Sequence, residues 1–432
     1  MMRSARSSTA KVLSAFSSTI GGGVGMVRLS LASKKDASRY HILPEPAHMI
    51  MAQACLGILI RLDDHVDEES IDTFPFARYA ADHIGDHFEL GGVLLRIQDE
   101  IDHFLDLDKP NFAAWLRLRG KLSWGQSPEA LPLYYFAEFG LRGLVGHLIL
   151  KHPQESSTRG PYGMPLHIAL RTGHTDISRL LLDCCDDVDV RDPEDQTALH
   201  LAMEGGFLDV IRTLLKRNAN INARDNRGRT PLFRAITWID VPVGLEPFPE
   251  HDAGVGTKVR VAIVAKQLLD YAADVHVWDD EGQTPLHRAS DGNHFDVIQL
   301  LLQHGAGVDV QDNSHSTPLH LASDLGGLEA VRLLLENRAN PHVRNNKSQT
   351  PLHLASGWNH IERMGLLLEY GADIDAQAND HSTPLHLASY NRNFEAVQLL
   401  LERGGVDVQN NEGRTPLHLA QNSETSRWWG YY

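Results

Sequence analysis

The sequence predicts an all-α solenoid, a row of helix–turn–helix units with turn or β-hairpin tips, preceded by a small helical module. Three observations predict it. A Thr-Pro-Leu-His block recurs at near-constant spacing, an amphipathic run follows each copy, and an Asp/Asn-rich stretch leads into the next copy. Self-similarity at such a period is the mark of a repeat architecture, in which stability comes from neighbouring units sharing one continuous core.

The block reads Met164-Pro165-Leu166-His167, Thr197-Ala198-Leu199-His200, Thr230-Pro231-Leu232-Phe233, Thr284-Pro285-Leu286-His287 and Thr317-Pro318-Leu319-His320. It continues as Thr350-Pro351-Leu352-His353, Thr383-Pro384-Leu385-His386 and Thr415-Pro416-Leu417-His418. The steps are 33, 33, 54, 33, 33, 33 and 32 residues, the 54 being one period plus a 21-residue insertion. An eroded copy, Leu131-Pro132-Leu133-Tyr134, stands 33 residues further upstream.

Each unit has a local logic. Thr is a good N-cap, and Pro at the first helical position has no N–H to waste. The Leu points inward, and small residues such as Ala289, Ala322, Ala355 and Ala388 let a neighbouring helix approach closely. A second helix follows, as in Val297-Ile298-Gln299-Leu300-Leu301-Leu302, with apolar positions at helical spacing. Gly305, Gly371 and Gly404 then suit a left-handed C-terminal cap, and a stretch such as Asp309-Val310-Gln311-Asp312-Asn313 turns the chain onward.

With the T-P-L-H-x-A signature at a 33-residue period over about residues 127 to 425, the chain resembles the ankyrin repeat family. The resemblance implies about nine units and a non-catalytic role in binding another protein. It also implies that the repeat histidines are structural, each imidazole tying adjacent turns together. Where other units carry Gly at the second-helix cap, this chain has Cys185, Asn218, Ala272 and Arg338. A non-Gly residue in the left-handed region costs on the order of 1 kcal/mol. The N-terminal half of the array is therefore expected to be the weaker half.

Residues 39 to 126 lack the signature and read as helices: Pro46 to Leu62, Phe76 to Phe88, Val93 to Leu107, and one around Phe112-Ala113-Ala114-Trp115-Leu116. The stretches Arg39-Tyr40-His41-Ile42-Leu43-Pro44-Glu45-Pro46-Ala47-His48 and Asp108-Lys109-Pro110-Asn111-Phe112-Ala113-Ala114-Trp115 look like the segment linking NTPase and array in fungal NACHT–ankyrin proteins, which are NLR-like receptors. No G-x-x-x-x-G-K-[ST] occurs, so the nucleotide switch of that family carries over to no residue. The alternative function is then the sensor part of such a receptor without its NTPase.

Residues 1–38, basic and Ser-rich without an acid up to Lys35, are expected to be disordered rather than a mitochondrial transit peptide, since the polar face is irregular. The longest apolar run, Met49 to Ile60, is too short for a bilayer span. Residues 426–432 form an aromatic tail, Arg427-Trp428-Trp429-Gly430-Tyr431-Tyr432; it folds over the last unit, or the chain is a truncated product. The formal net charge of −16 argues against nucleic acid as the main partner, and three cysteines fit a reducing compartment, the cytoplasm or nucleus.

Chemistry has few candidates. His83 and His87, flanked by Asp82 and Asp86, have a spacing that can bind a divalent ion, but Ile84 stands where a zincin carries its Glu, so a metal-dependent hydrolase is the least favoured class. Cys184 and Cys185 have no basic sequence neighbour to lower a thiol pKa, and Asp63-Asp64 with Asp67-Glu68-Glu69 reads as solvated helix-end charge. No catalytic residue, metal or cofactor is expected. In the ankyrin family the turn tips and the outer ends of the first helices line a concave face. Here the tips offer Asp280, Glu281, Gln283, Ser314, Ser316, Lys347, Gln349, Asp380 and Ser382, and the helix ends Asp324, Trp358, Tyr390 and Arg392. Trp, Tyr and Arg dominate binding hot spots, which points to Trp358, Tyr390 and Arg392. The insertion, about Asp240 to Thr257, is acidic and proline-stiffened; Leu245-Glu246-Pro247-Phe248 is a second candidate. The protein is expected to be a monomer.

Overall fold

A computed structural model describes residues 44–62, 77–88, 97–106, 110–123, 126–237, 257–404 and 408–421. Residues 1–38, the insertion up to residue 256, the acidic pairs after Leu62 and the aromatic tail lie outside the described residues. Among the described residues the regular structure is helical throughout, with one isolated bridge between Gly160 and Gly163. The chain divides into two compact units at Pro165/Leu166, later than the change of sequence pattern near residue 127.

The first unit contains α1 (Pro44–Leu59), α2 (Ala77–Phe88), α3 (Gln98–Leu105), α4 (Pro110–Leu118), α5 (Pro132–Phe139) and α6 (Arg142–Lys151). Ala77, Ala80, Ala81, Ile84 and Phe88 give α2 one buried stripe of mostly small residues, against which α1 packs. The side chain of Asn111 donates to the carbonyls of Ile60 (2.5 Å) and Leu62 (3.0 Å), satisfying groups that α1 leaves open at its end. Phe104, Phe112, Trp115 and Phe136 meet at ring-centroid distances of 5.5 to 6.1 Å, mostly edge to face. The indole N–H of Trp115 is spent on the Ala81 carbonyl at 3.1 Å. These four aromatic residues are thus central to the core of this unit.

The second unit holds the paired helices α7 (Pro165–Arg171) and α8 (Thr175–Cys184), α9 (Ala198–Glu204) and α10 (Leu208–Lys216), α11 (Pro231–Thr237) and α12 (Thr257–Asp270). It continues with α13 (Pro285–Asp291) and α14 (Phe295–Gln303), α15 (Pro318–Asp324) and α16 (Leu328–Glu336), and α17 (Pro351–Gly357) and α18 (Ile361–Glu369). The last are α19 (Pro384–Tyr390) and α20 (Phe394–Glu402), then α21 (Pro416–Gln421). First helices pack on first helices from α9 to α21, and second helices on second helices from α8 to α10 and from α12 to α20, making two layers that share one core. Helices this short are unstable alone; the stacking holds them.

Polar bonds fix each copy in place. The backbone N–H of the block Thr donates to Nδ1 of the His three residues on, at 3.0 to 3.3 Å in Thr197, Thr284, Thr317, Thr350, Thr383 and Thr415. The hydroxyl of each is also 2.8 to 2.9 Å from that Nδ1, and in Thr197, Thr284, Thr317, Thr350 and Thr383 it accepts the backbone N–H of the same His, closing a capping box in which histidine replaces the usual Glu. A nitrogen that accepts cannot carry the proton, so Nε2 does. That N–H donates to a carbonyl of the next turn: Arg229 from His200, Ser316 from His287, Gln349 from His320, Ser382 from His353 and Arg414 from His386, at 3.0 to 3.2 Å. Tyr134, in the eroded copy, makes a bridge of opposite polarity, its hydroxyl accepting from the Tyr162 N–H at 3.2 Å.

The tips are reverse turns and not paired strands. An Asp or Asn opens every described tip but the one that begins at Ala378, and accepts the N–H groups two and four residues on: Asp192, Asp225, Asp279, Asp312, Asn345 and Asn410 all do so at 2.8 to 3.1 Å. Neighbouring tips are joined by a backbone ladder: Asn226 to Glu194, Asp280 to Arg227, Asn313 to Glu281, Asn346 to Ser314, Asn379 to Lys347 and Asn411 to Asp380.

At the second-helix cap Asn218, Ala272 and Arg338 adopt positive φ (57°, 62° and 67°), as Gly305 and Gly371 do. Cys185 departs from that expectation: it is extended, with φ −87°. The Arg217 guanidinium donates to the carbonyls of Leu182 and Cys185, so the chain satisfies the helix end without a left-handed residue.

Candidate partner-docking face

The tips and the first-helix layer meet along one face, where the ends of the first helices stand exposed. In α15, α17 and α19 the inward Leu and Ala of each block are buried, and the chain end beyond them carries the surplus apolar surface. Leu325 is 67% exposed, Trp358 62% and Tyr390 69%, so all three keep most of their apolar surface in water. Trp358 is therefore not packed into the adjacent helix. The repeats that carry them are tied together at this end: the Asp324 carbonyl accepts from His360 Nε2 at 3.0 Å, and the Gly357 carbonyl accepts from the side chains of Asn391 (2.9 Å) and Asn393 (2.7 Å). Half-buried Leu321, Leu354 and Leu387 floor the strip from the fifth position of each block.

Leu325 is absent from the sequence expectation, although it stands one period before Trp358 and the spacing alone identifies it. Arg392 is exposed, but its φ of 62° marks the inter-helix turn, where Asn293 and Asn359 hold the same left-handed conformation. Asp324 is half-buried. Lys347 and Asp380 are exposed at their tips; the Asp380 carboxylate accepts from the Ser382 N–H and hydroxyl, which holds its pKa low against the opposing effect of burial. Gln283 and Gln349 are half-buried, each with its N–H held by the Asp or Asn that opens its turn. Two tip residues are corrected. Ser316 and Ser382 are buried, because the last residue of each turn gives its carbonyl to the repeat histidine below.

Towards the N-terminal end the same face is polar and internally paired. Arg171 binds Asp192 (2.7 Å) and Glu194 (2.6 Å), Arg234 binds Glu204, and Arg229 binds Asp225 (2.8 Å). Burial pushes the Asp279 carboxyl up to about 6, while the Arg229 guanidinium and backbone donors hold Asp225 below the usual carboxylate range despite its burial.

The chemistry candidates come apart. His83 is exposed and bonded to Asp86 Oδ2 at 2.9 Å, while His87 is buried, and no group of three His, Cys, Asp or Glu suited to a metal is found among the described residues. Cys185 does have a basic neighbour in space, Arg217, which the sequence spacing hides; burial outweighs it and raises the thiol pKa. Burial lowers the imidazole pKa of His200, His320 and His353 to about 4, which keeps them neutral and structural.

Family models described as Ankyrin repeats (3 copies) match residues 133–225, 166–241, 260–345, 307–378 and 352–427, more than half of the sequence. The chain belongs to the ankyrin repeat family. Ankyrin repeats generally mediate protein–protein interaction, and proteins built from them are typically non-catalytic scaffolds. The family match does not reach residues 39–126. No curated protein matches the chain. No helix among the described residues is long and apolar enough to cross a membrane.

Proposed function

We propose that this ankyrin array is a non-catalytic scaffold that docks a partner protein on the face bearing Leu325, Trp358 and Tyr390. One observation supports the reading: three large apolar side chains, exposed in successive repeats, at the ends of first helices whose block Leu and Ala are buried. Contiguous exposed apolar surface on a soluble chain marks an interaction site, and Trp and Tyr are the residues most often found at its energetic centre. Asp324, Lys347, Asp380 and Arg392, with Gln283 and Gln349, form the polar surroundings of that strip. The array acts as a monomer in the reducing cytoplasm or nucleus, a placement supported by three free thiols.

Affinity capture with the full chain beside its Trp358→Ala and Tyr390→Ala variants tests this. The expected result is loss of the same captured protein from both variants with unchanged helicity and melting. Capture that both variants retain, or a melting midpoint that collapses in either, refutes it. A narrower form, recognition on behalf of an NLR-like receptor, is supported by the resemblance of residues 39–115 to the fungal NACHT–ankyrin linker; a phosphate-loop ATPase encoded beside this chain is its test.

A further inference from the structure

The docking face carries a carboxylate, that of Asp324, with one buried oxygen that makes no hydrogen bond among the described residues. At the equivalent place in other repeats the acid meets an arginine of the array itself: Glu204 pairs with Arg234 of the next repeat, and Asp291 with Arg288 of its own first helix, at 3.3 Å. Both arginines occupy the fifth position of the Thr-Pro-Leu-His block. Around Asp324 that position is Leu321 in its own repeat and Leu354 in the next. The Asp324 Oδ1 is buried and has no hydrogen-bond partner. Arg363 and His360 feel the Asp324 charge, but the Arg363 guanidinium is turned to the main chain, where Nη1 donates to the Asp324 carbonyl at 3.2 Å and the Ser323 carbonyl at 3.3 Å. A carboxylate oxygen sheltered from water without a donor is costly to maintain, and turning this half-buried carboxylate outward to a cation brought by a partner recovers that cost.

We propose that the occupant of this face is a protein segment in which an arginine stands beside apolar residues. Its guanidinium meets Asp324, and its apolar neighbours cover Leu325, Trp358 and Tyr390. The inference rests on the docking reading above and adds the chemistry of the partner. Arginine suits the place better than lysine, since its planar fork matches a carboxylate and its face stacks on an indole. The chain already makes such a contact internally, with the Arg224 guanidinium 6.0 Å from the Trp278 ring centroid. The formal charge of −16 favours encounter with a basic segment.

The test is selection of random heptapeptides displayed on phage against the full chain, followed by anisotropy titration of the enriched peptides as synthetic probes. Enriched peptides are expected to place Arg next to Leu, Ile, Phe or Trp. Asp324→Asn, or citrulline in place of the peptide arginine, is expected to weaken binding about tenfold or more, and the two changes together no further. Should Asp324→Asn lower the melting midpoint, the citrulline arm decides, because it leaves the protein untouched. Peptides lost on Trp358→Ala but indifferent to Asp324→Asn and to citrulline overturn the arginine chemistry and leave the docking face standing. Peptides indifferent to Trp358→Ala as well, or no enrichment at all, overturn both.

Discussion

Acidification from pH 7 to pH 5 is expected to strip the array of much of its stability through the repeat histidines. His200, His320 and His353 have imidazoles held down to about 4 by burial, whereas an unfolded histidine titrates near 6.5. The folded state therefore binds fewer protons than the unfolded one between those two values, and stability falls as pH drops through that window. Protonation would also turn Nδ1 from the acceptor of the Thr N–H into a second donor facing it. For each of the three the loss by pH 5 is about 2 kcal/mol, about 6 kcal/mol together, and the lowered His287 adds in the same direction. Asp279, raised to about 6, is relieved by protonation and returns about 1 kcal/mol. The remainder of about 5 kcal/mol is comparable with the whole stability of many domains, which is typically 5–15 kcal/mol. Urea unfolding followed by far-UV circular dichroism at the two pH values, fitted with a nearest-neighbour repeat model, measures it. Stability equal within about 1 kcal/mol at both pH values, or an imidazole titration of His320 centred near 6.5, refutes the reasoning.

The other predictions compare equivalent positions within the chain. Thr317→Val should cost about 1–2 kcal/mol by urea unfolding, since the hydroxyl closes a capping box. Thr230→Val should be neutral or stabilising: Phe233 replaces the histidine there, and the Thr230 hydroxyl is buried without a partner. Ala272→Gly should stabilise by about 1 kcal/mol, read as a higher urea midpoint, because Ala272 sits at φ 62°. Ala378→Asn should gain about 0.5–1 kcal/mol by supplying the turn-opening acceptor that Asn345 and Asn410 provide in the adjacent repeats. Arg217→Ala should destabilise by about 1–3 kcal/mol and speed amide exchange in α8, whose end carbonyls Arg217 satisfies.

What the sequence makes legible is whatever the period repeats. The first helices begin at the residue after each Thr, and the buried Leu and Ala of each block follow from helical spacing. The histidine role is implied by the family resemblance, but the proton position on the ring needs the geometry of the Thr N–H. Contacts across repeats are the hidden part. Arg217 reaches Cys185 over 32 residues, and Ser316 is buried because His287 points at its carbonyl, facts that no local pattern encodes. The proposed docking strip is half visible in the sequence. Trp358 and Tyr390 stand out by type, whereas Leu325 looks like one more leucine until the period is used to place it opposite Trp358.

The enlarged unit shows what the tip ladder makes possible. Residues 238–256 separate α11 from α12 in the sequence, yet the Asp280 N–H meets the Arg227 carbonyl at 3.0 Å, and the Asp274 N–H donates to the Asn222 side chain at 3.0 Å. These rungs are bonds between turn residues, with lengths like those of the other tips. Such a junction behaves as a socket: a longer excursion costs only about 0.6 kcal/mol for each doubling of its length. Evolution or an engineer can graft a new element there and leave the strip of Leu325, Trp358 and Tyr390 undisturbed.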